Sequence, residues 1–152
     1  MQISNLLDSN KLKLDLKASK RVDAIEEVAK QLKDAEAVLD YGKFWDELLE
    51  REKIEPTVLG HEIALPHART DALKDLVLAA GRSKDGVMFE NCNQNVRLIF
   101  VIGTPKRMVT EYLAVVGGLA RLLKEEETRQ RLLEAEKAED FIELLRSAEA
   151  AL

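Results

Sequence analysis

The chain has 152 residues, of which 46% are hydrophobic and 34% charged, with a net charge of −5. This composition predicts one globular domain over residues 1–152 and excludes a disordered chain. Basic and acidic residues are interspersed, so we expect no nucleic-acid partner. Because no apolar run has the length of a signal peptide or membrane span, we expect a cytoplasmic protein without direct membrane insertion.

The first part of the chain alternates between strand and helix patterns. Residues 11–16 alternate polar and apolar side chains, as a half-buried strand does. Ser19 is expected to cap a helix with one apolar face that extends to Leu32. Asp40 is expected to cap a second helix, which Pro56 ends.

Three apolar runs predict the strands of a sheet, at residues 63–65, 76–80 and 96–102. Turn signals lie beside the longer runs, namely Lys84-Asp85-Gly86 and Gly103-Thr104-Pro105. The last run, VRLIFVI, is β-branched and almost wholly apolar. It therefore predicts a central strand that is covered on both faces.

The chain after Pro105 has a helical pattern with two apolar stripes, which predicts a deeply packed helix. The stripes contain Val109, Leu113, Val116, Ala120 and Leu123, and Tyr112, Val115, Leu119 and Leu122. Gly117-Gly118 indicates either close approach of another backbone, such as the His67 loop, or a simple packing need. Two more helices are expected around 128–135 and 139–148. The order of elements predicts an α/β fold, a three-layer α/β/α sandwich in which helices cover both faces of a small mixed β-sheet.

Both histidines of the chain lie between Thr57 and Thr70. His67 follows Pro66, where an apolar strand is expected to give way to a polar loop, and Arg69 is nearby in sequence. A neutral imidazole is a good nucleophile near pH 7, and a phosphoryl acceptor needs positive charge beside it. His67 is thus a candidate nucleophile, and the alternative is a structural histidine with satisfied hydrogen bonds.

The two histidines are not expected to act together. An extended chain separates His61 from His67 by roughly 20 Å, unless it bends at Gly60-His61. The sequence has no HExxH motif and no cysteine pair, so no metal site is predicted. His61 alone is interpreted as a turn residue, since histidine is enriched at positive φ.

The segments Arg51-Glu52, Thr57, Leu59-Gly60 and Ile63-Ala64-Leu65-Pro66-His67 resemble a known phosphorylation-site pattern. It is that of the fructose/mannitol/nitrogen-regulatory type of enzyme IIA domain in the bacterial phosphotransferase system. Residues 81–105 are similar to the paired strands of these domains, and residues 111–123 to the helix that follows them. The resemblance covers nearly the whole chain.

The resemblance implies a phosphoryl carrier without a metal or cofactor. His67 would accept phosphate from an HPr-type carrier protein and pass it to an enzyme IIB, or hold it as a nitrogen-type regulatory state. Arg51 would neutralise phosphate charge, although an arginine at a helix end is also commonly a solvated charge. Thr57 would donate its hydroxyl to the phosphate or the ring, or else cap the turn after Pro56.

Tyr112 departs from the family pattern, because many members have a second active-site histidine at this position. A phenol donates a hydrogen bond but carries no positive charge near pH 7. The tyrosine is interpreted either as a site residue or as part of the helix core. The departure motivates an alternative function, a non-catalytic regulatory or binding module that has the IIA fold without efficient transfer.

Overall fold

A mixed β-sheet lies between two layers of helices in the computed structural model, which describes residues 2–152. The strands are β1 (Leu12–Lys13), β2 (Val58–Gly60), β3 (Ile63–Ala64), β4 (His67–Arg69), β5 (Val77–Phe89) and β6 (Gln94–Thr104). The helices are α1 (Arg21–Ala29), α2 (Tyr41–Ile54), α3 (Val109–Leu122), α4 (Glu126–Glu134) and α5 (Ala138–Ala150). Within these described residues, no helix is both long and apolar enough to cross a bilayer.

Strand β6 is the centre of the sheet, as its apolar sequence predicted. The strand order is β1-β5-β6-β3-β2, and β4 pairs with β6 beyond the end of β3. β6 runs antiparallel to β5 and parallel to both β3 and β4. All its residues from 98 to 104 are buried, because both faces of the sheet are covered.

Alternate side chains of β6 contribute to two separate cores. Leu98, Phe100 and Ile102 pack in the cluster that includes residues of α3, α4 and α5. Ile99 and Val101 pack in the other cluster, with α1 and α2. Successive strand residues point to opposite faces, so one apolar strand supplies both cores. The predicted three-layer α/β sandwich is thus confirmed.

The sequence predicted the N-cap residue of α2 correctly but not that of α1. Asp40 caps α2 as expected, since its side chain accepts a hydrogen bond from the Lys43 amide at 3.1 Å. The expectation that Ser19 caps α1 is wrong, because Lys20 is the N-cap residue and provides no side-chain cap. Lys20 forms a parallel bridge to Met88 of β5, which holds it extended and delays the start of the helix.

Two local strand predictions are also corrected. Only Leu12–Lys13 of the predicted strand at 11–16 pairs as β1, although the Leu16 amide still donates to the Arg82 carbonyl. The Lys84-Asp85-Gly86 signal does not end β5. These residues lie within β5, where the pairing with β6 shifts in register and Gly86 has a φ of +89°. The turn from β5 to β6 lies at residues 90–93.

Helix α3 is buried on one side rather than two. Its second stripe, including Val115, Leu119 and Leu122, is buried as expected. The first stripe is deeply packed only at its end, where Leu123 is 1% exposed, while Leu113 is 60% exposed and Val109 is 40% exposed. The main contacts of α3 are with α5 and with the N-terminal turn at Ile3–Leu6.

Gly118 allows the N-terminal segment, rather than the His67 loop, to approach α3. A Cβ atom at Gly118 would lie 2.5 Å from the Ile3 side chain. The segment is held by Glu149 of α5, which accepts hydrogen bonds from the amide of Ile3 and from the amide and hydroxyl of Ser4. The simpler interpretation of the glycine pair, a packing need, is confirmed at this position.

Candidate active site

His67 begins strand β4 (His67–Arg69), and this corrects the expectation that a polar loop starts directly after His67. The segment pairs in parallel with the end of β6, with His67 opposite Ile102. Strand β3 leaves β6 after Ile99, so the last part of β6 has an unpaired edge that β4 fills. The carbonyl of Pro66 accepts a hydrogen bond from the Ile102 amide at 2.9 Å, which anchors the start of the strand.

A hydrogen bond determines which ring nitrogen of His67 carries the proton. Its Nδ1 lies 2.7 Å from the carbonyl oxygen of Leu65. A carbonyl only accepts hydrogen bonds, so Nδ1 carries the proton and the neutral ring keeps its lone pair on Nε2. The ring orientation is thus determined by the backbone two residues earlier.

The surroundings of His67 favour its neutral form. Burial lowers the pKa of the ring below its usual 6.5, although the hydrogen bond to Leu65 opposes this. The guanidinium of Arg51 lowers the pKa further, and the carboxylates of Glu52 and Glu55 raise it. Because burial dominates, the ring is neutral at pH 7 and its Nε2 lone pair is available for nucleophilic attack.

An open pocket of about 500 Å³ adjoins His67. Its lining combines three cationic groups, two carboxylates, an aromatic ring and two apolar residues around the histidine. The lining residues are Glu47, Glu50, Arg51, Ile54, His67, Ala68, Arg69, Lys106 and Tyr112. The pocket therefore places more cationic than anionic groups beside a neutral imidazole, an arrangement that is able to bind a phosphate.

Tyr112 contacts the ring of His67 and also packs against the core. The two ring centroids are 5.6 Å apart, with an angle of 51° between the planes. The tyrosine is half-buried against the cluster on the α3 side, so it belongs to the helix core and also lies beside the histidine. Burial raises the pKa of the phenol, while Arg51 and Arg69 lower it. Because burial dominates, the hydroxyl stays protonated at neutral pH and is able to donate a hydrogen bond.

Arg51 lies in the last turn of α2 and lines the pocket. Its Nη2 forms an ion pair with Glu55 Oε1 at 3.2 Å, and its Nη1 donates to the Glu55 carbonyl at 3.4 Å. The side chain is 28% exposed, so it is neither fully solvated nor buried. The arginine is thus held at the helix end that faces the histidine.

Thr57 does not line the pocket, and its hydroxyl has a different partner from the one expected. The side chain is buried and donates to Oε1 of Glu52, rather than to the ring of His67. Glu52 is only 2% exposed, and its Oε2 accepts from Arg21 Nη1 at 2.9 Å. A buried carboxylate requires such partners, so the threonine belongs to an ionic network at the end of α2.

This network reaches His67 through the backbone. The carbonyl of Thr57 accepts a hydrogen bond from the Leu65 amide at 2.9 Å. The carbonyl of the same Leu65 orients the imidazole of His67. Thr57 therefore anchors the residue whose carbonyl orients the ring. Arg21 and Glu52 lack any short-range sequence signal for this role, because Arg21 lies 31 residues before Glu52.

Arg69 and Lys106 are pocket residues to which the sequence analysis gave no role. Arg69 follows His67 by two positions on β4, so both side chains point to the same face of the strand, while Ala68 is buried on the other. Arg69 Nη2 donates to the Lys106 carbonyl at 3.0 Å. If residues 67–69 had been predicted as a strand, the two-residue spacing would have indicated that Arg69 lies on the same face as His67.

His61 lies in a left-handed turn, as its turn interpretation predicted. His61 and Glu62 have φ angles of 54° and 67°. His61 lines a different, smaller pocket, together with residues that include Glu126 and Arg129. The two histidines therefore do not share a site. In the described part of the chain, no group of three or more metal-ligating side chains is placed to hold an ion.

The sequence matches a known protein family along nearly its whole length. The family model described as phosphoenolpyruvate-dependent sugar phosphotransferase system, EIIA 2, matches residues 5–148. The fructose-specific EIIABC component of Bacillus subtilis is 33% identical over 146 residues, which cover 95% of this chain and 23% of that protein. The fructose-specific EIIA component of Haloferax volcanii is 32% identical over 144 residues, which cover 94% of each chain.

Solved structures give the same result. Nitrogen regulatory protein IIA-Ntr from Neisseria meningitidis is 28% identical, with a TM-score of 0.86 over 94% of this chain and 98% of that chain. Enzyme IIAMTL of Escherichia coli, solved in complex with phosphorylated enzyme IIBMTL, is 26% identical, with a TM-score of 0.81 over 93% and 97% of the two chains. The resemblance predicted from sequence is confirmed, and the chain belongs to the EIIA 2 family of the phosphoenolpyruvate-dependent sugar phosphotransferase system.

Proposed function

We propose that His67 is the phosphoryl acceptor of this enzyme IIA protein and that Nε2 is the reacting atom. The hydrogen bond from Nδ1 to the Leu65 carbonyl carries this proposal, because it leaves the Nε2 lone pair for attack. The cationic pocket supplies the second requirement, since Arg51 lies beside the histidine. Phosphoryl transfer depends mainly on such positioning and electrostatic stabilisation.

The proposed transfer uses two nitrogen–phosphorus bonds. The Nε2 lone pair of His67 attacks the phosphorus of a donor phosphohistidine, and a new N–P bond forms. The N–P bond of the donor breaks, and the donor imidazole leaves with the electron pair. The proton on Nδ1 of His67 stays hydrogen-bonded to Leu65 throughout. Arg51 stabilises the phosphoryl oxygens, and the hydroxyl of Tyr112 donates a hydrogen bond to one of them.

We propose an HPr-type carrier as the donor, and an enzyme IIB or a regulatory target protein as the next partner. The complex of Escherichia coli IIAMTL with phosphorylated IIBMTL supports the IIB partner. The match to IIA-Ntr supports the regulatory use. Residues 1–152 would act as one domain, because both cores share a single sheet. A cytoplasmic location is part of this proposal, since phosphoenolpyruvate is an intracellular metabolite.

A phosphorylation assay tests the proposed acceptor. The protein is incubated with a phosphorylated HPr-type carrier, and the product is examined by intact-mass spectrometry. We expect one adduct of about 80 Da that is labile in acid and stable in base, as a phosphohistidine is. The adduct should be absent from His67→Ala and present in His61→Ala, which removes the other histidine.

Two outcomes would contradict the proposal in different ways. An adduct that persists in His67→Ala would overturn the assignment of the acceptor. A wild-type protein that takes no phosphate from an active donor would instead support the alternative, a regulatory or binding module without transfer. The contact between Tyr112 and His67 favours this second candidate, because a neutral phenol provides less charge stabilisation than a cation does.

A further inference from the structure

The charges that line the pocket are three cations and the carboxylates of Glu47 and Glu50, and one of the cations has a geometry that the proposed function has not yet used. Of the three cationic groups that line the pocket, Arg51 is paired with Glu55 at 3.2 Å. Lys106 lies 3.7 Å from a carboxylate oxygen of Asp71. Arg69 bonds only to a neutral carbonyl among the described residues, so its charge is the least compensated of the three.

We propose that Arg69 is a second phosphate-binding residue, which contacts the phosphoryl group on His67 together with Arg51. This inference rests on the proposed function of His67. Arg51 belongs to helix α2 and Arg69 to strand β4, so the two guanidinium groups reach the pocket from different layers of the fold. Because both His67 and Tyr112 are neutral, the phosphoryl charge has to be stabilised by such cations.

The strand geometry places Arg69 within reach of the reacting nitrogen. Alternate residues of a strand lie about 7 Å apart on the same face, a distance that an arginine side chain is long enough to span. Strand β4 is held here by pairing of Arg69 with Thr104, and by a hydrogen bond of 2.9 Å from the Thr70 amide to the Thr104 carbonyl. The backbone that carries the arginine is therefore as well anchored as that of His67.

The guanidinium itself is oriented and still has free donors. Its Nη2 donates to the Lys106 carbonyl at 3.0 Å, which fixes the plane of the group. A guanidinium has several further N–H donors, and these suit two phosphoryl oxygens at once. Arg51 and Arg69 also both lower the pKa of the Tyr112 phenol, whose ring contacts His67, so both lie near the same point of the pocket.

The contact between Arg69 and the phosphoryl group is tested by the second pKa of that group, which can be measured without a partner protein. The phosphorylated protein is titrated by ³¹P NMR as wild type, Arg69→Gln and Arg69→Lys. We expect Arg69→Gln to raise the second pKa of the phosphoryl group by roughly half a unit, because a nearby cation favours the doubly charged form. Arg69→Lys should restore most of the shift, since it keeps the charge.

Arg107 provides a matched control. It is also exposed and also donates from Nη2 to a backbone carbonyl, that of Lys74 at 2.9 Å, but it does not line the pocket. Arg107→Gln should leave the phosphoryl pKa unchanged. In single-turnover assays, Arg69→Gln should slow transfer about tenfold and Arg107→Gln by less than about twofold.

The outcomes separate this inference from the proposed function. Failure of the wild-type protein to accept phosphate would overturn both. A phosphorylated Arg69→Gln variant with the wild-type phosphoryl pKa would overturn the role of Arg69 alone, and slow transfer in that case would indicate contact with the partner protein instead. An equal shift in Arg107→Gln would also overturn it, since the effect would then come from general surface charge.

Discussion

The two histidines of this chain occupy regions that differ in every property relevant to reactivity. His67 begins a strand that pairs with the centre of the sheet, and its ring is oriented by the Leu65 carbonyl. His61 lies in a left-handed turn, exposed and in a different pocket. The comparison shows that closeness in sequence is a poor guide to shared chemistry. A nucleophile needs a fixed ring, a free nitrogen and nearby cations.

The largest expected effect comes from removing the arginine beside His67. Arg51→Gln should slow phosphoryl transfer roughly 100-fold, because the phosphoryl charge loses a direct hydrogen-bonding cation. Arg129, from the pocket of His61, is the comparison, since its Nη1 donates to the carbonyls of Leu123 and Lys124. Arg129→Gln should destabilise the fold but leave the rate per folded molecule unchanged. Rapid-quench measurements give the phosphoryl-transfer rate of each variant. Equal rates in Arg51→Gln and Arg129→Gln would contradict a specific role for the arginine beside His67.

The buried hydrogen bond between Thr57 and Glu52 is tested by Thr57→Val, which keeps the shape of the side chain. The variant leaves a buried oxygen of Glu52 without its donor, and we expect a loss of about 1–3 kcal/mol in unfolding free energy. Thr57→Ser keeps the hydroxyl and should recover most of this loss. Urea unfolding measures both variants. A Val variant as stable as the Ser variant would show that the hydrogen bond is unimportant.

The half-buried environment of His67 should also appear in the pH dependence of stability. Its pKa is lowered in the folded protein from the usual 6.5, so the unfolded chain binds its proton first as the pH falls. This contribution to stability is therefore present above pH 6.5 and decreases as the pH falls towards the folded pKa. His67→Gln should remove this part of the change in unfolding free energy with pH. An unchanged pH profile in His67→Gln, followed by urea unfolding, would contradict the lowered pKa.

The smallest effect is expected at the other histidine. His61→Gly relieves a positive φ of 54° and should change stability by no more than about 1 kcal/mol, in the stabilising direction. Phosphorylation of His67 should be unaffected. Thermal unfolding and the mass assay measure the two quantities. Loss of the adduct in His61→Gly would mean that the two regions are coupled after all.

Features that depend on local chemistry were predictable from the sequence. The covered strand β6 follows from its apolar side chains, and the start of α2 follows from the capping carboxylate of Asp40. The Pro66-His67 pattern likewise led to the correct family. In each case the signal and the structure it determines lie within a few residues of one another.

Features that depend on distant partners were not predictable in this way. Lys20 replaced Ser19 as a cap because it pairs with Met88. Residues 67–69 became a strand because β6 has a free edge beyond Ile99. The role of Thr57 likewise required Glu52 to be buried beside Arg21. Such contacts form only when the chain is folded, so no short segment carries their signal.

The hydrogen bonds between Glu149 and the N-terminal turn at Ile3–Leu6 have a consequence for how the domain is joined to others. Because the Glu149 carboxylate binds the amide and hydroxyl of Ser4, the first and last elements lie side by side. A linker attached to either end would therefore leave from the same place on the surface. Domains with adjacent ends tolerate insertion and circular permutation. This domain is therefore suited to fusion at its N-terminus, at its C-terminus or within a longer polypeptide.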